Sequence, residues 1–233
     1  MRLFTTAPTL HSIREWPVNS CVGDVYTLTV LTDAVGRAMV HQHFRGLVPI
    51  YDSFPTNVSR SDVARLVALY VHGGVYLDRD YVCFRNFERH RWNMSAFSIA
   101  AQFPARCRQS MCSVSQRVAN AFMASAPRHP FIKYVLGQMR SYRGGDAAHV
   151  TGPGLLTRSV DRWSGSPVVE LGFCTVYGVA WFERHPCTRR MDRDLCARFF
   201  SAAALGTHLW DGSWLPSKRR VKRPRAHHCK KSP

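Results

Sequence analysis

Residues 61–80, reading SDVARLVALYVHGGVYLDRD, leave the chain few ways to fold. Val63, Leu66, Val67 and Tyr70 recur at helical spacing and form one apolar stripe that needs a core to face. Asp62 and Arg65 are three residues apart, so they share another face of the same helix. Ser61 is the expected N-cap, and Asp62 in the first turn suits the helix dipole. Gly73-Gly74 stops the helix and permits positive φ. The chain then turns directly into Val75-Tyr76-Leu77-Asp78, an extended apolar run. A helix joined to a strand through two glycines calls for a sheet with helices packed on it.

The flanking sequence agrees. Strands are expected at 25–31, 47–51, 75–80, 97–101, 168–171 and 176–181, and 118–123 is a further apolar segment. Helices are expected at 34–44, 61–71, 130–142 and 154–163, with a loop at 54–59. Strands alternating with helices, without an internal repeat, predict an α/β fold with a mostly parallel sheet.

With 233 residues, 45% hydrophobic and 20% charged, one domain can bury a full core. No stretch is long and apolar enough for a membrane span, and the first ten residues make a poor signal peptide. The default expectation is therefore cytoplasmic. The net charge is +17, and residues 216–233 hold eight Lys and Arg with no acid. Taking those eight away leaves +9 on the remainder. This basic tail has too little apolar surface to fold alone and is expected to be disordered, contacting an anionic membrane or nucleic acid, serving as a nuclear address, or simply solvated. The eight cysteines form no CxxC pair, which argues against structural zinc. Cys187 and Cys196 are close enough in sequence to pair, with buried free thiols as the alternative. Asn57-Val58-Ser59 and Asn93-Met94-Ser95 are glycosylation sequons, a pattern common by chance.

The chemistry lies in the Asp-x-Asp. Residues two apart in an extended chain point the same way, so Asp78 and Asp80 project together with Arg79 turned aside. Two carboxylates at a strand's end make a hard-oxygen site for Mg2+ or Mn2+. An ion there neutralises a diphosphate leaving group as a Lewis acid. Open α/β sheets bind ligands at the carboxyl ends of their strands, which fits this position. A lone Asp-x-Asp is usually a solvated turn. Here the acid and Arg on one helix, the Gly-Gly and the aromatic all stand in front of it.

That string, with Ser61, Asp62, Arg65, Leu69, Tyr70, Gly73, Gly74, Tyr76, Leu77, Asp78 and Asp80, resembles the DXD sugar-binding region. Fungal initiating α-1,6-mannosyltransferases, animal α-1,4-galactosyltransferases and the glucosylating clostridial toxins share this region. Later segments resemble the family in the same order: Asn120 through Pro127 with His129-Pro130, Thr151-Gly152-Pro153, and His208-Leu209-Trp210 with Gly212-Ser213-Trp214. The resemblance covers roughly 24–214.

It implies a GT-A-type fold and transfer of a hexose from a UDP- or GDP-sugar to a glycan, glycolipid or protein acceptor, with retention of configuration. It also implies the site residues. Asp78 and Asp80 would hold the metal, completed by His208. Asp62, Arg65, Tyr76 and Asp78 would bind the donor, and Asn120 would sit near the reacting centre. Thr151, Gly152 and Pro153 would shape the acceptor side. Ser213 and Trp214 would close over the donor as a lid.

The chain departs from the family at its start, where the opening Ile-Pro-Lys-Ile-Ile-His-Gln-x-Trp strand has no counterpart. Either the first strand of the 1–215 domain is absent or the first twelve residues replace it poorly. Two rival readings follow: a family member without activity, and a basic nucleic-acid-binding protein whose Asp-x-Asp is incidental.

Overall fold

The computed structural model describes residues 2–6, 17–21, 26–84, 96–103, 112, 114–139, 146–180, 198–200, 203–210 and 229. Its centre is a six-stranded sheet. In chain order the strands are β1 (Arg2–Thr6), β2 (Thr27–Leu31), β3 (Gly74–Leu77), β5 (Phe97–Ala101), β6 (Val118–Ser125) and β7 (Val168–Leu171). In space the order is β2-β1-β3-β6-β5-β7. Pairings β1–β2, β1–β3 and β5–β7 are parallel, and only β6 runs against its neighbours. A separate two-stranded antiparallel ribbon joins β4 (Tyr81–Cys83) to β8 (Gly206–His208). The expected mostly parallel α/β architecture is thus present.

An opening strand is present as well. β1 pairs with β2 on one side and β3 on the other, so residues 2–6 form an inner strand although their sequence departs from the family's opening stretch. Alternation explains this. Leu3 and Phe4 are fully buried on opposite faces, each in a different core cluster.

Those two cores define the layers. On one face α1 (Asp33–His43), α3 (Asn57–His72), α4 (Pro130–Gln138) and α6 (Pro153–Arg162) pack around Phe4, Tyr76, Phe97 and Met123. On the other, the β4–β8 ribbon, the 3-10 turn Pro17–Cys21 and α7 (Phe173–Val176) pack around Leu3, Val75, Leu77 and Phe122. Burial of Val63, Leu66, Val67 and Leu69 anchors α3, each such side chain contributing about 1.5–3 kcal/mol.

Several local expectations are corrected. α3 begins four residues before Ser61, capped by Thr56, whose hydroxyl accepts from the Ser59 amide at 3.4 Å. Residues 47–51 are not a strand: Leu47 ends a 3-10 turn and α2 (Val48–Ser53) follows, with Pro49 in its first turn. Buried Leu47 and Tyr51 sit at helical spacing, and the short apolar run disguised it. Of the expected strand 176–181, the described residues 176–180 are not a strand either, because α7 ends at Val176 and Gly178, at φ 65°, turns the chain; Trp181 lies outside the described residues. α3 ends as expected at Gly73, φ 63°. Gly74, at φ 98°, lies so close to the Arg2 carbonyl that a Cβ there would collide with it.

The described cysteines are all bonded. Cys21 is joined to Cys83 and Cys174 to Cys229. Cys229 is buried, so the basic tail is tied to the domain at that residue rather than free throughout. The expected Cys187–Cys196 pair and the Asn93 sequon lie outside the described residues. Among the described residues no helix is long and apolar enough to cross a membrane.

Candidate active site

β1 connects to β2 on one side, while β3 lies on its other side, so the strand order reverses at β1. The crevice beyond the carboxyl ends of β1 and β3 is where such sheets bind ligands. Thr6 ends β1, and its hydroxyl lies 2.8 Å from the Tyr76 hydroxyl on β3. Tyr76 donates in turn to Asp78 Oδ1 at 2.7 Å.

β3 ends at Leu77, one residue before Asp78. The expected strand to Asp80 is instead a turn, closed by the Tyr81 amide donating to the Asp78 carbonyl at 3.0 Å. The turn, rather than period-two alternation, aims Asp78 and Asp80 at the same partner. His208 Nε2, on β8, lies 3.3 Å from Asp78 Oδ2 and 3.0 Å from Asp80 Oδ1. Ligand atoms of the three side chains lie within 4.8 Å of one another, the one such group among the described residues. Two hard carboxylate oxygens suit Mg2+ or Mn2+. The two aspartate side chains keep 26% and 16% of their surface exposed, so an incoming ligand can reach them.

The second half of the site is buried. Arg65 lies on α3 directly behind Asp78, donating to Asp78 Oδ1 at 3.0 Å and to the Asn120 carbonyl at 2.9 Å. Its guanidinium also pairs with Asp62 Oδ1 at 3.2 Å and sits 4.5 Å above the Tyr76 ring. Asn120, on β6, donates to Asp62 Oδ1 at 2.6 Å, and Thr151 donates to Asp62 Oδ2 at 2.8 Å. Asp62 is therefore a hub joining α3, β6 and the turn before α6. Gly152 is part of that turn: a Cβ there would stand 3.2 Å from Asp62 Oδ2. Pro153 opens α6.

Electrostatics follow from this packing. Burial pushes the Asp62 carboxyl above its usual range, against the pull of Arg65 and the Thr151 hydrogen bond. Burial would raise Asp78 too. The Arg65 guanidinium outweighs it, with hydrogen bonds from His208 and Tyr76, and holds Asp78 well below the usual carboxylate range. Burial would lower His208, but Asp80 and Asp78 pull it up to about 10.

Residues 12–98 match the family described as a glycosyltransferase sugar-binding region containing the DXD motif. An uncharacterized glycosyltransferase of Acanthamoeba polyphaga mimivirus is 32% identical over 181 residues, 74% of this chain and 64% of that one. Inositol phosphoceramide mannosyltransferase 3 of Schizosaccharomyces pombe is 27% identical over 151 residues, 62% of this chain. The chain is thus similar to glycosyltransferases, and its residues 12–98 to their DXD-containing sugar-binding region. It spans 39% of the length of that fungal relative. The solved PaToxG glycosyltransferase aligns at a TM-score of 0.44 and 14% identity over 68% of this chain and 67% of its own.

In this chain, Asp62, Arg65, Tyr76, Asp78, Asn120 and Thr151 share one hydrogen-bonded network, and Asp80 and His208 adjoin it through Asp78. Ser213 and Trp214 lie outside the described residues. Sequence reasoning assigned no role to Thr6, Tyr177 or Trp210. Thr6 belongs to the stretch that departs from the family. Tyr177 and Trp210 pack around His208, with ring centroids 6.1 and 4.3 Å away. Trp210 did carry a signal, standing two residues after the histidine.

Proposed function

We propose that the chain transfers a hexose from a nucleoside-diphosphate sugar to an anionic glycolipid acceptor, with Mn2+ or Mg2+ held by Asp78 and Asp80. The observation that carries this reading is the convergence of both carboxylates in one partly open crevice beside a buried arginine. The ion, when bound, supplies a Lewis acid for the departing diphosphate. Arg65 holds Asp78 ionised and in place. Asp62, with its hydrogen bonds to Asn120 and Thr151, orients the donor and acceptor sides of the crevice relative to each other. Preorganised groups of this kind act where charge develops, so leaving-group stabilisation supports most of the rate. A retaining, same-face course is consistent with a crevice that offers no separate carboxylate nucleophile among its described residues.

The fungal relative named for inositol phosphoceramide supports mannose as the sugar and an inositol-phosphate lipid as the acceptor. The +17 charge favours an anionic acceptor or the anionic surface presenting it. The disulfides support an oxidising compartment over the cytosol. The test is release of hexose from GDP- and UDP-sugars with Mn2+, in the wild type and in Asp78→Ala and Asp80→Ala. Manganese-dependent turnover confined to the wild type is expected, and equal turnover in all three proteins overturns the reading.

A further inference from the structure

Asn57-Val58-Ser59 is the one glycosylation sequon among the described residues, and the candidate active site makes no use of it. Such a triplet arises often by chance. The fold supplies what the triplet alone lacks. Asn57 is the first residue of α3, directly after the capping Thr56, and it is exposed. One turn on, Arg60 donates through Nη2 to Asn57 Oδ1 and through Nη1 to the Phe54 carbonyl at 2.6 Å. That clamp orients the amide. With Oδ1 turned to Arg60, Nδ2 faces away from it and donates to nothing among the described residues.

Helix geometry keeps the position clear of the crevice. Asn57 stands about 140° around α3 from Asp62, five residues at about 100° each. Asp62 is the buried side that meets Asn120 and Thr151. A bulky group on Asn57 therefore extends into solvent without crossing the site. The bonded state of the described cysteines matches a compartment in which disulfides form and asparagine-linked glycans are attached.

Resting on the oxidising compartment proposed above, we infer that Asn57 carries an asparagine-linked glycan. The co-reactant is an oligosaccharide on a lipid pyrophosphate, delivered by the oligosaccharide-transferring enzyme of that compartment. Nδ2 bonds to the anomeric carbon of the first sugar, and that carbon's bond to the pyrophosphate oxygen breaks. Nδ2 gives up one proton, and the lipid pyrophosphate departs. Ser59 fixes the order of events. The hydroxyl that the sequon requires is on a residue only 4% exposed, and it lies 3.3 Å from the Thr56 hydroxyl. Attachment therefore precedes the packing of α3.

Protein purified from its own source, digested without reduction and mapped by mass spectrometry, decides the matter. The expected result is a glycopeptide containing residue 57, alongside intact Cys21–Cys83. Peptide N-glycosidase in heavy-oxygen water should convert its Asn57 to labelled aspartate. Bonded cysteines with unmodified Asn57 overturn the glycan and leave the compartment standing. Reduced cysteines with unmodified Asn57 overturn both. Asn57→Gln and Ser59→Ala should each abolish the glycan, and one that persists at Asn57 in Ser59→Ala overturns the sequon as its cause. Chain translated into microsomes behind a leader should gain the glycan. The folded, unglycosylated chain offered the same transferase and lipid donor should not, and its modification overturns the proposed order. Manganese-dependent hexose release by Asn57→Gln should match the wild type, so failure of the proposed transfer reaction and failure of the glycan are read separately.

Discussion

The two halves of the site are held by different physics. Asp62, Arg65 and Asn120 sit on long, regular elements of the helix-covered face, joined by Thr151 from the turn before α6, and Asp62 and Arg65 are only 4% and 6% exposed. Their charges are out of water and compensate one another. Asp80, in the turn just before β4, and His208, at the end of β8, are held by a ribbon of two three-residue strands at the other face. Disulfides reinforce that ribbon: Cys83 on β4 is bonded to Cys21, and α7 beside β8 is bonded to Cys229. The Val18 amide donating to the Arg79 carbonyl at 3.1 Å and Ser20 accepting from the Cys83 amide at 2.8 Å complete the clamp. The buried half is stabilised by packing and paired charge. The ribbon half, too short to be stable alone, depends on cross-links.

That contrast is open to direct attack. The largest effect is expected from Asp80→Ala, which should cost donor turnover about 10²–10³-fold, on the scale of losing one electrostatic contact to the transition state. Thermal denaturation of the same variant should move little, because Asp80 is not part of the buried charge network. A large drop in Tm would mean that the ribbon carries the fold as well.

Arg65→Met reverses the pattern. It removes the cation compensating buried Asp62 and leaves that carboxylate unpaired, a loss of about 3–5 kcal/mol read by urea unfolding. Arg65→Lys should not rescue it, since one ammonium cannot reach Asp62, Asp78 and the Asn120 carbonyl together. Removing Cys21 and Cys83 together, as serines, should cost about 2–4 kcal/mol. Amide exchange then separates the halves: protection should fall in Tyr81–Cys83 and persist in Val118–Ser125. Uniform loss would show that the halves unfold as one unit.

Gly74→Ala tests the junction between α3 and β3. A Cβ there meets the Arg2 carbonyl at a positive φ, and about 1–3 kcal/mol should be lost. The smallest effect is expected from Thr6→Val, which deletes one hydrogen bond to Tyr76, about 1 kcal/mol by chemical denaturation.

Much of the buried half could be read in the sequence. The apolar stripe of α3, the two glycines and the acidic pair are local patterns, and local patterns survive without knowledge of the fold. The reading failed where the deciding contact was distant. Thr56 caps α3 although Ser61 suited the same role, because both ends of 54–60 satisfy helix-start chemistry. Residues 47–51 and 176–180 were apolar enough for strands, and only the packing of Tyr51 and the turn at Gly178 made them helix and turn. Arg2–Thr6 diverges from the family's opening stretch, yet alternating burial of Leu3 and Phe4 was enough to make a strand of it.

By itself, then, the amino-acid order determined that a helix bearing Asp62 and Arg65 must fold back on a strand ending at Asp78, since spacing along the chain dictates which side chains share a face. It did not determine that Arg65 would stand behind Asp78, that Asn120 and Thr151 would meet on Asp62, or that a strand 130 residues further on would bring His208 to both aspartates. Those contacts join segments whose separation in sequence carries no periodic signal. Only the closing of two cores on opposite faces of one sheet brings them within hydrogen-bonding distance.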